Sequence, residues 1–255
     1  MSTFIRNTHY PERISKEEIN ELPIRTFPGT IRLIQTHEEL VKIIPALKRE
    51  TILGFDTETK PTFRKGVIHN PALLQLATGR TVYLLRLNLL EHCKELLPIL
   101  ASPTCLKVGV AVKDDIIGLQ KINPFTAAGF VDIASLSKEL GIHTIGLRSL
   151  TAIFLKFRIS KKAQVSNWAR KELSSSQLQY AATDAWVSRK IFLKLRRFNR
   201  LTGTMDTLQK EQFPSEKNKD TEARTEKKQG RKGNRRKRAS QAPRHPASVE
   251  NSQAN

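Results

Sequence analysis

The first stretch with alternating apolar positions is IRLIQ, residues 31–35, and it predicts a short strand. Thr36 and Glu39 follow at capping-box spacing. Leu40, Ile43, Ile44 and Leu47 then recur at helical intervals, so a helix is expected next. TILGFD predicts a second, mostly buried strand. ALLQLAT and TVYLLRL predict two more, and the intervening Gly79-Arg80 predicts a hairpin. Residues 88–100 pattern as a helix, CLKVGVAV as a buried strand, and DDIIGLQKI as a helix after it. Two shorter helices are expected over 135–140 and 146–155, and one long helix over 174–198. Strands interleaved with helices imply an α/β domain on a mixed sheet. The hairpin supplies antiparallel strands and the crossovers supply parallel ones.

This pattern places one domain over residues 29–200. Residues 1–28 are polar and Pro-punctuated and read as an irregular lead-in, and 201–213 read as a transition. From Pro214 onward large apolar residues are nearly absent. Such a segment cannot bury enough surface to offset its ordering entropy, and 214–255 are expected to be a disordered basic tail.

Charge adds a partner class. The 255 residues carry 44 Lys/Arg and 24 Asp/Glu, a net of +20. The tail holds 12 basic and 5 acidic residues, so a net of +13 remains on the rest. A body and tail that are both basic point to a polyanion, nucleic acid first. No apolar run approaches the roughly 18 residues of a membrane span, so no membrane partner is expected. The first residues, MSTFIRNTHYPERISKEE, lack the apolar core of a secretory signal. Cys93 and Cys105 have no metal-ligand spacing and are read as reduced thiols. The expected location is the cytoplasm of a bacterium, or the nucleus or cytoplasm of a eukaryote.

The acidic residues are placed unlike the rest. ILGFDTETKP ends an apolar run on Asp56 and Glu58, whose i, i+2 spacing puts both side chains on one face of a strand. Sheet ends of this kind are where α/β folds place ligand sites. A solvated strand end would look the same. KVGVAVKDDIIGL carries Asp114 and Asp115 at a strand-to-helix junction, where an acid also serves the helix N-terminus. In QLQYAATDAWVSRKIF, Tyr180 and Asp184 are i, i+4 on a helix with several apolar faces. A buried Asp is costly unless it is paired or holds a metal. Four converging carboxylates with few other ligand types favour hard cations, Mg²⁺ or Mn²⁺. Two such ions can stabilise both the attacking and the leaving oxygen at a phosphodiester.

FDTE, VGVAVKDD and SNWARKELSSSQLQYAATDAW, in that order, resemble the three motifs of the DEDDy 3′→5′ exonucleases, which have a ribonuclease H-like fold. The likeness runs from about residue 31 to 195. It is nearest to the Werner-syndrome-type exonuclease domain and more distant from ribonuclease D. The resemblance implies a metal-dependent exonuclease that releases nucleoside 5′-monophosphates from DNA or RNA. It implies Asp56, Glu58, Asp115 and Asp184 as ligands of two ions, with Asp115 preferred to Asp114 because the family's Asp opens the helix. It implies Tyr180 as the residue that orients or helps deprotonate the attacking water.

Lys60, Arg64 and Lys65 in KPTFRKG are candidate phosphate contacts, and Phe63 is a candidate for stacking on a base. Thr57, flanking the ligands, is a further candidate substrate contact, with a purely structural role on the opposite strand face as the alternative. Trp168 is a candidate substrate contact, with packing the stronger reading. The basic residues of 156–164 are a candidate groove wall. The competing expectation is a module on the same fold that binds nucleic acid or protein without cutting.

Overall fold

The computed structural model describes residues 10–62, 69–90 and 93–200. The expected tail, the 201–213 transition, and Phe63, Arg64 and Lys65 lie outside the described residues.

Among the described residues, six strands form one mixed sheet: β1 (Thr30–Ile34), β2 (Ile52–Thr59), β3 (Pro71–Ala77), β4 (Thr81–Leu85), β5 (Leu106–Gly109) and β6 (Phe130–Asp132), in the order β1-β4-β3-β2-β5-β6. The β2–β3 and β3–β4 pairs are antiparallel, and β1–β4, β2–β5 and β5–β6 are parallel. This is the expected mixture. The helices are α1 (Lys16–Glu21), α2 (His37–Lys48), α3 (Leu97–Leu100), α4 (Val112–Ile122), α5 (Ile133–Glu139), α6 (Leu147–Leu155) and α7 (Ser175–Arg200). Thr36 and Glu39 close the expected capping box on α2. Among the described residues, no helix is long and apolar enough to cross a membrane.

Helix α7 lies across the sheet and organises the core. Its Ala181, Ala182 and Ala185 pack with Leu73 and Ala77 of β3 and Val82 and Leu84 of β4. Farther along, Ile191, Phe192 and Leu195 join Ile52, Val108 and Val131 of the sheet and Ile153 and Phe154 of α6. Gly54 of β2 permits the close approach. A Cβ there would stand 1.9 Å from the Ala185 carbonyl oxygen, so any side chain would force α7 off the strand. Arg189 completes the seam by donating from Nε to the Ile52 carbonyl at 3.0 Å.

Three expectations need correction. Residues 10–28 are not an irregular lead-in. Ser15 and Glu18 form a capping box for α1, Ile19 is buried, and Ile24 bridges Arg158. Phe27 is buried in the α7 cluster. Its N–H donates to Thr183 Oγ1 at 3.0 Å, and its carbonyl accepts from Gln179 Nε2 at 2.7 Å. The segment around Arg158 that Ile24 pairs with is anchored by Phe157 and Ile159, buried against Val187, while Lys156, Lys161 and Lys162 stay exposed.

Among the described residues of 88–100, the helical turns are at 94–100, first a 3₁₀ turn and then α3. The N–H groups of Leu89 and Leu90 both turn back onto the Arg86 carbonyl, and Asn88 Oδ1 accepts from Arg86 Nε. Tertiary bonds of the fully buried Arg86, which also donates to the Arg170 carbonyl at 2.6 Å, override the helical pattern.

CLKVGVAV is extended only as far as Gly109. Ala111 adopts a left-handed φ of 58°, and α4 starts at Val112, two residues before the expected DDIIGLQKI helix.

Lys107 of β5 is fully buried. Its Nζ stands 2.6–2.9 Å from four carbonyl oxygens, those of Ile99, Ser102, Cys105 and Ala128. Burial pulls its pKa down to about 8, so the ammonium remains charged at neutral pH. It ties the loop before β5 to the loop before β6.

Candidate active site

The end of β2 delivers Asp56 and Glu58 to the face covered by α7, as the period-2 spacing predicts. Asp184 comes from the middle of α7 and is 5% exposed. One carboxylate oxygen from each of Asp56, Glu58 and Asp184 lies within 4.8 Å of the others. Tyr180, one turn earlier on α7, interacts with the Asp184 carboxylate.

Asp115 arrives from the first turn of α4, and its Oδ1 accepts a hydrogen bond from Thr57 Oγ1. Thr57 points to the opposite face of β2 from Asp56, as expected, and from there it binds the acid on α4. Asp114 is exposed, whereas Asp115 is partly buried and close enough to raise both Asp56 and Glu58 electrostatically. The structure therefore brings Asp115, and not Asp114, toward the other three acids.

Sequence reasoning missed Asp132. Its Oδ1 accepts from the Ala111 N–H at 3.2 Å and from the Ala134 N–H at 2.8 Å. One carboxylate thus caps α5 and holds the left-handed turn that launches α4 with Asp115 on it. The sequence signal was an acid at the end of a short apolar run, FVD, directly before a helix.

The cluster is electrostatically costly. Burial, then repulsion from Asp184, Asp115 and Glu58, raises Asp56 well above the usual carboxylate range. Burial, then Asp184 and Asp115, pushes Glu58 up to about 9. Burial pushes Asp184 up to about 7 against a lowering contact from Tyr180. It also pushes Asp115 up to about 6, partly offset by the Thr57 hydrogen bond. Burial and then Asp184 and Glu58 drive the Tyr180 phenol far above its ordinary value. Carboxylates packed this closely, with no ion pair to a basic side chain among the described residues, repel one another unless a proton or a cation neutralises them. Asp184 Oδ1 has no hydrogen-bond partner among the described residues. An all-oxygen, multiply acidic donor set with an unpaired buried oxygen fits a hard divalent cation.

Trp168 does not face solvent. It is fully buried and its ring lies 6.0 Å from that of Tyr180, so it packs behind the phenol and is not placed to touch a base. Lys60 is exposed. It lines a cavity of about 510 Å³ with Thr57, Asp114, Asp115 and Lys121, and of the four candidate ligands Asp115 alone is on its wall.

Residues 31–198 match the sequence profile of a family described as 3′-5′ exonuclease. The chain belongs to this family. Ribonuclease D of Haemophilus influenzae is 28% identical over 163 residues, covering 62% of this chain and 40% of that protein. Exonuclease 3′-5′ domain-containing protein 2 of Drosophila melanogaster is 34% identical over 187 residues, covering 71% of this chain and 30% of that protein. The chain thus spans less than half the length of either relative. Among solved structures, the exonuclease domain of Aedes aegypti Nibbler superposes with a TM-score of 0.64 at 23% identity, covering 70% of this chain and 94% of that one. That likeness shows the shared ribonuclease H-like fold.

Proposed function

We propose that this chain hydrolyses the terminal phosphodiester at the 3′ end of a nucleic acid strand and releases nucleoside 5′-monophosphates. The observation that carries this reading is the convergence of Asp56, Glu58 and Asp184 within 4.8 Å, with Tyr180 one helical turn away. Asp56, Glu58 and Asp184 would hold divalent cations, two Mg²⁺ or Mn²⁺ ions, with Asp115 completing the set. Bound there, such ions supply Lewis-acid stabilisation of the attacking and leaving oxygens.

The chain's own groups do the rest. Tyr180 is backed by Trp168 and keeps its proton. Its hydroxyl therefore orients the attacking water as a hydrogen-bond partner rather than removing a proton from it. Thr57 holds the Asp115 carboxylate in place. Lys60 and Lys121, on the wall of the adjoining cavity, neutralise backbone phosphates and position the strand without reading its sequence. The excess of basic residues in the body and in 214–255 draws a polyanion toward an acidic centre.

The test uses 3′-labelled and 5′-labelled DNA and RNA oligonucleotides with Mg²⁺ or Mn²⁺, beside Asp56→Asn. The expected result is a ladder shortening from the 3′ end, abolished by EDTA and by the substitution. Tight binding without cleavage of either nucleic acid under either metal would replace the enzyme with a binding module.

A further inference from the structure

β3 is buried along its whole length, and its sequence PALLQLA contains one polar side chain. That side chain, Gln75, is fully buried, and neither its Nε2 nor its Oε1 has a hydrogen-bond partner among the described residues. A leucine would fill the same volume without the desolvation cost of an unmatched amide.

Its position is specific. In the antiparallel β2–β3 register, Gln75 stands directly opposite Asp56. Residues opposed in this way project to the same face with Cβ atoms about 4.5–5.5 Å apart. That face is the one α7 covers. Leu73 and Ala77, the next residues of β3 on the same face, pack with Ala181, Ala182 and Ala185. Asp184 Oδ1, another buried polar atom without a hydrogen-bond partner among the described residues, comes from α7 on this face too. The amide is thus within side-chain reach of the Asp56 carboxylate.

We propose that Gln75 is a positioning residue of the carboxylate centre, its Nε2–H donating to Asp56 in the cation-loaded protein and fixing which oxygen Asp56 turns toward the cation. A neutral donor suits this role, because it steadies the ionised carboxylate without competing with the cation for it, as a lysine would. Groups that orient metal ligands in this way typically change metal affinity by 10–100-fold when removed. The proposal rests on the metal-dependent reading above.

Gln75→Met keeps the side-chain length and removes the amide. Mn²⁺ binding is measured by electron paramagnetic resonance and calorimetry, and thermal melting is measured in EDTA. Expected are a Mn²⁺ dissociation constant raised about tenfold or more and a metal-free melting temperature equal to or above that of the unsubstituted chain. Asp56→Asn and the double variant complete a cycle. If Gln75 acts through Asp56, adding Gln75→Met to Asp56→Asn weakens the residual Mn²⁺ binding no further.

Unchanged Mn²⁺ affinity in Gln75→Met, or a lowered metal-free melting temperature, would overturn the role of Gln75 and leave the metal reading standing. Unchanged Mn²⁺ affinity in Asp56→Asn would overturn the metal reading itself.

Discussion

Replacing Asp184 by Asn should make the metal-free protein more stable while destroying its activity. Asp184 is almost completely buried, and its pKa moves from 3.8 to about 7. A raised carboxylate favours its protonated form in the fold. Its contribution to stability is therefore complete below pH 3.8 and is lost as pH rises through about 7. At pH 8 a shift of roughly three units at 1.36 kcal/mol each corresponds to a ceiling of about 4 kcal/mol. Asn keeps the shape and a partner for Tyr180, and it also removes the repulsion that Asp184 exerts on Asp56 and Glu58. Allowing for relaxation of the cluster, we expect a gain of about 2 kcal/mol, or some 4–8 °C in melting temperature for a domain of this size. The assay is urea unfolding in EDTA at pH 8 and pH 4. Asp184→Asn should be the more stable at pH 8, and the gap should close toward pH 4. Saturating Mn²⁺ at pH 8 should then reverse the order by stabilising the unsubstituted chain. A variant no more stable at pH 8, or a gap independent of pH, would refute the account of the cluster as a set of mutually repelling, desolvated acids.

Three further outcomes are expected. Gly54→Ala should destabilise the fold by about 2 kcal/mol or more and lower cleavage in step, because the added methyl meets the Ala185 carbonyl and displaces the helix bearing Asp184; normal melting with normal turnover would refute this. Lys107→Met should lose about 3 kcal/mol in urea unfolding, since four carbonyls lose their donor at once, and cleavage at saturating substrate should persist in the fraction that remains folded. Removing residues 214–255 takes away 12 basic side chains; affinity for oligonucleotide should fall and its dependence on salt should flatten, with turnover at saturating substrate unchanged.

The parts of the site on regular elements were legible in the sequence, because strand and helix periods fix which side chains share a face. Asp56 with Glu58 and Tyr180 with Asp184 follow from spacings of two and four. The hairpin followed from Gly79-Arg80 between two apolar runs. What stayed hidden depends on contacts distant in sequence. Only the fold shows that Thr57, across the strand, grips Asp115, or that Asp132 holds the turn at Ala111. A left-handed alanine leaves no trace in composition, so the boundary between β5 and α4 was misplaced. The packed segment before β1 did carry a signal, Ser15 and Glu18 at capping-box spacing, but its Pro-rich surroundings masked it. Gln75 carried one as well, a lone amide in an apolar run.

The bonds from Phe27 to Thr183 and Gln179 join residues 156 and 152 positions apart. Asp184 and Tyr180 sit beside those anchor points, and their partners Asp56 and Glu58 lie more than a hundred residues upstream. Contacts of such long range form late, after loop-closure entropy has been overcome. During synthesis the chain is made from the N-terminus, so the first four strands and Asp115 emerge well before α7. Until α7 docks, three acids stand without their fourth and without the phenol. The four-acid set and the phenol are therefore complete only once α7 is in place, and a chain cut before α7 lacks both Asp184 and Tyr180.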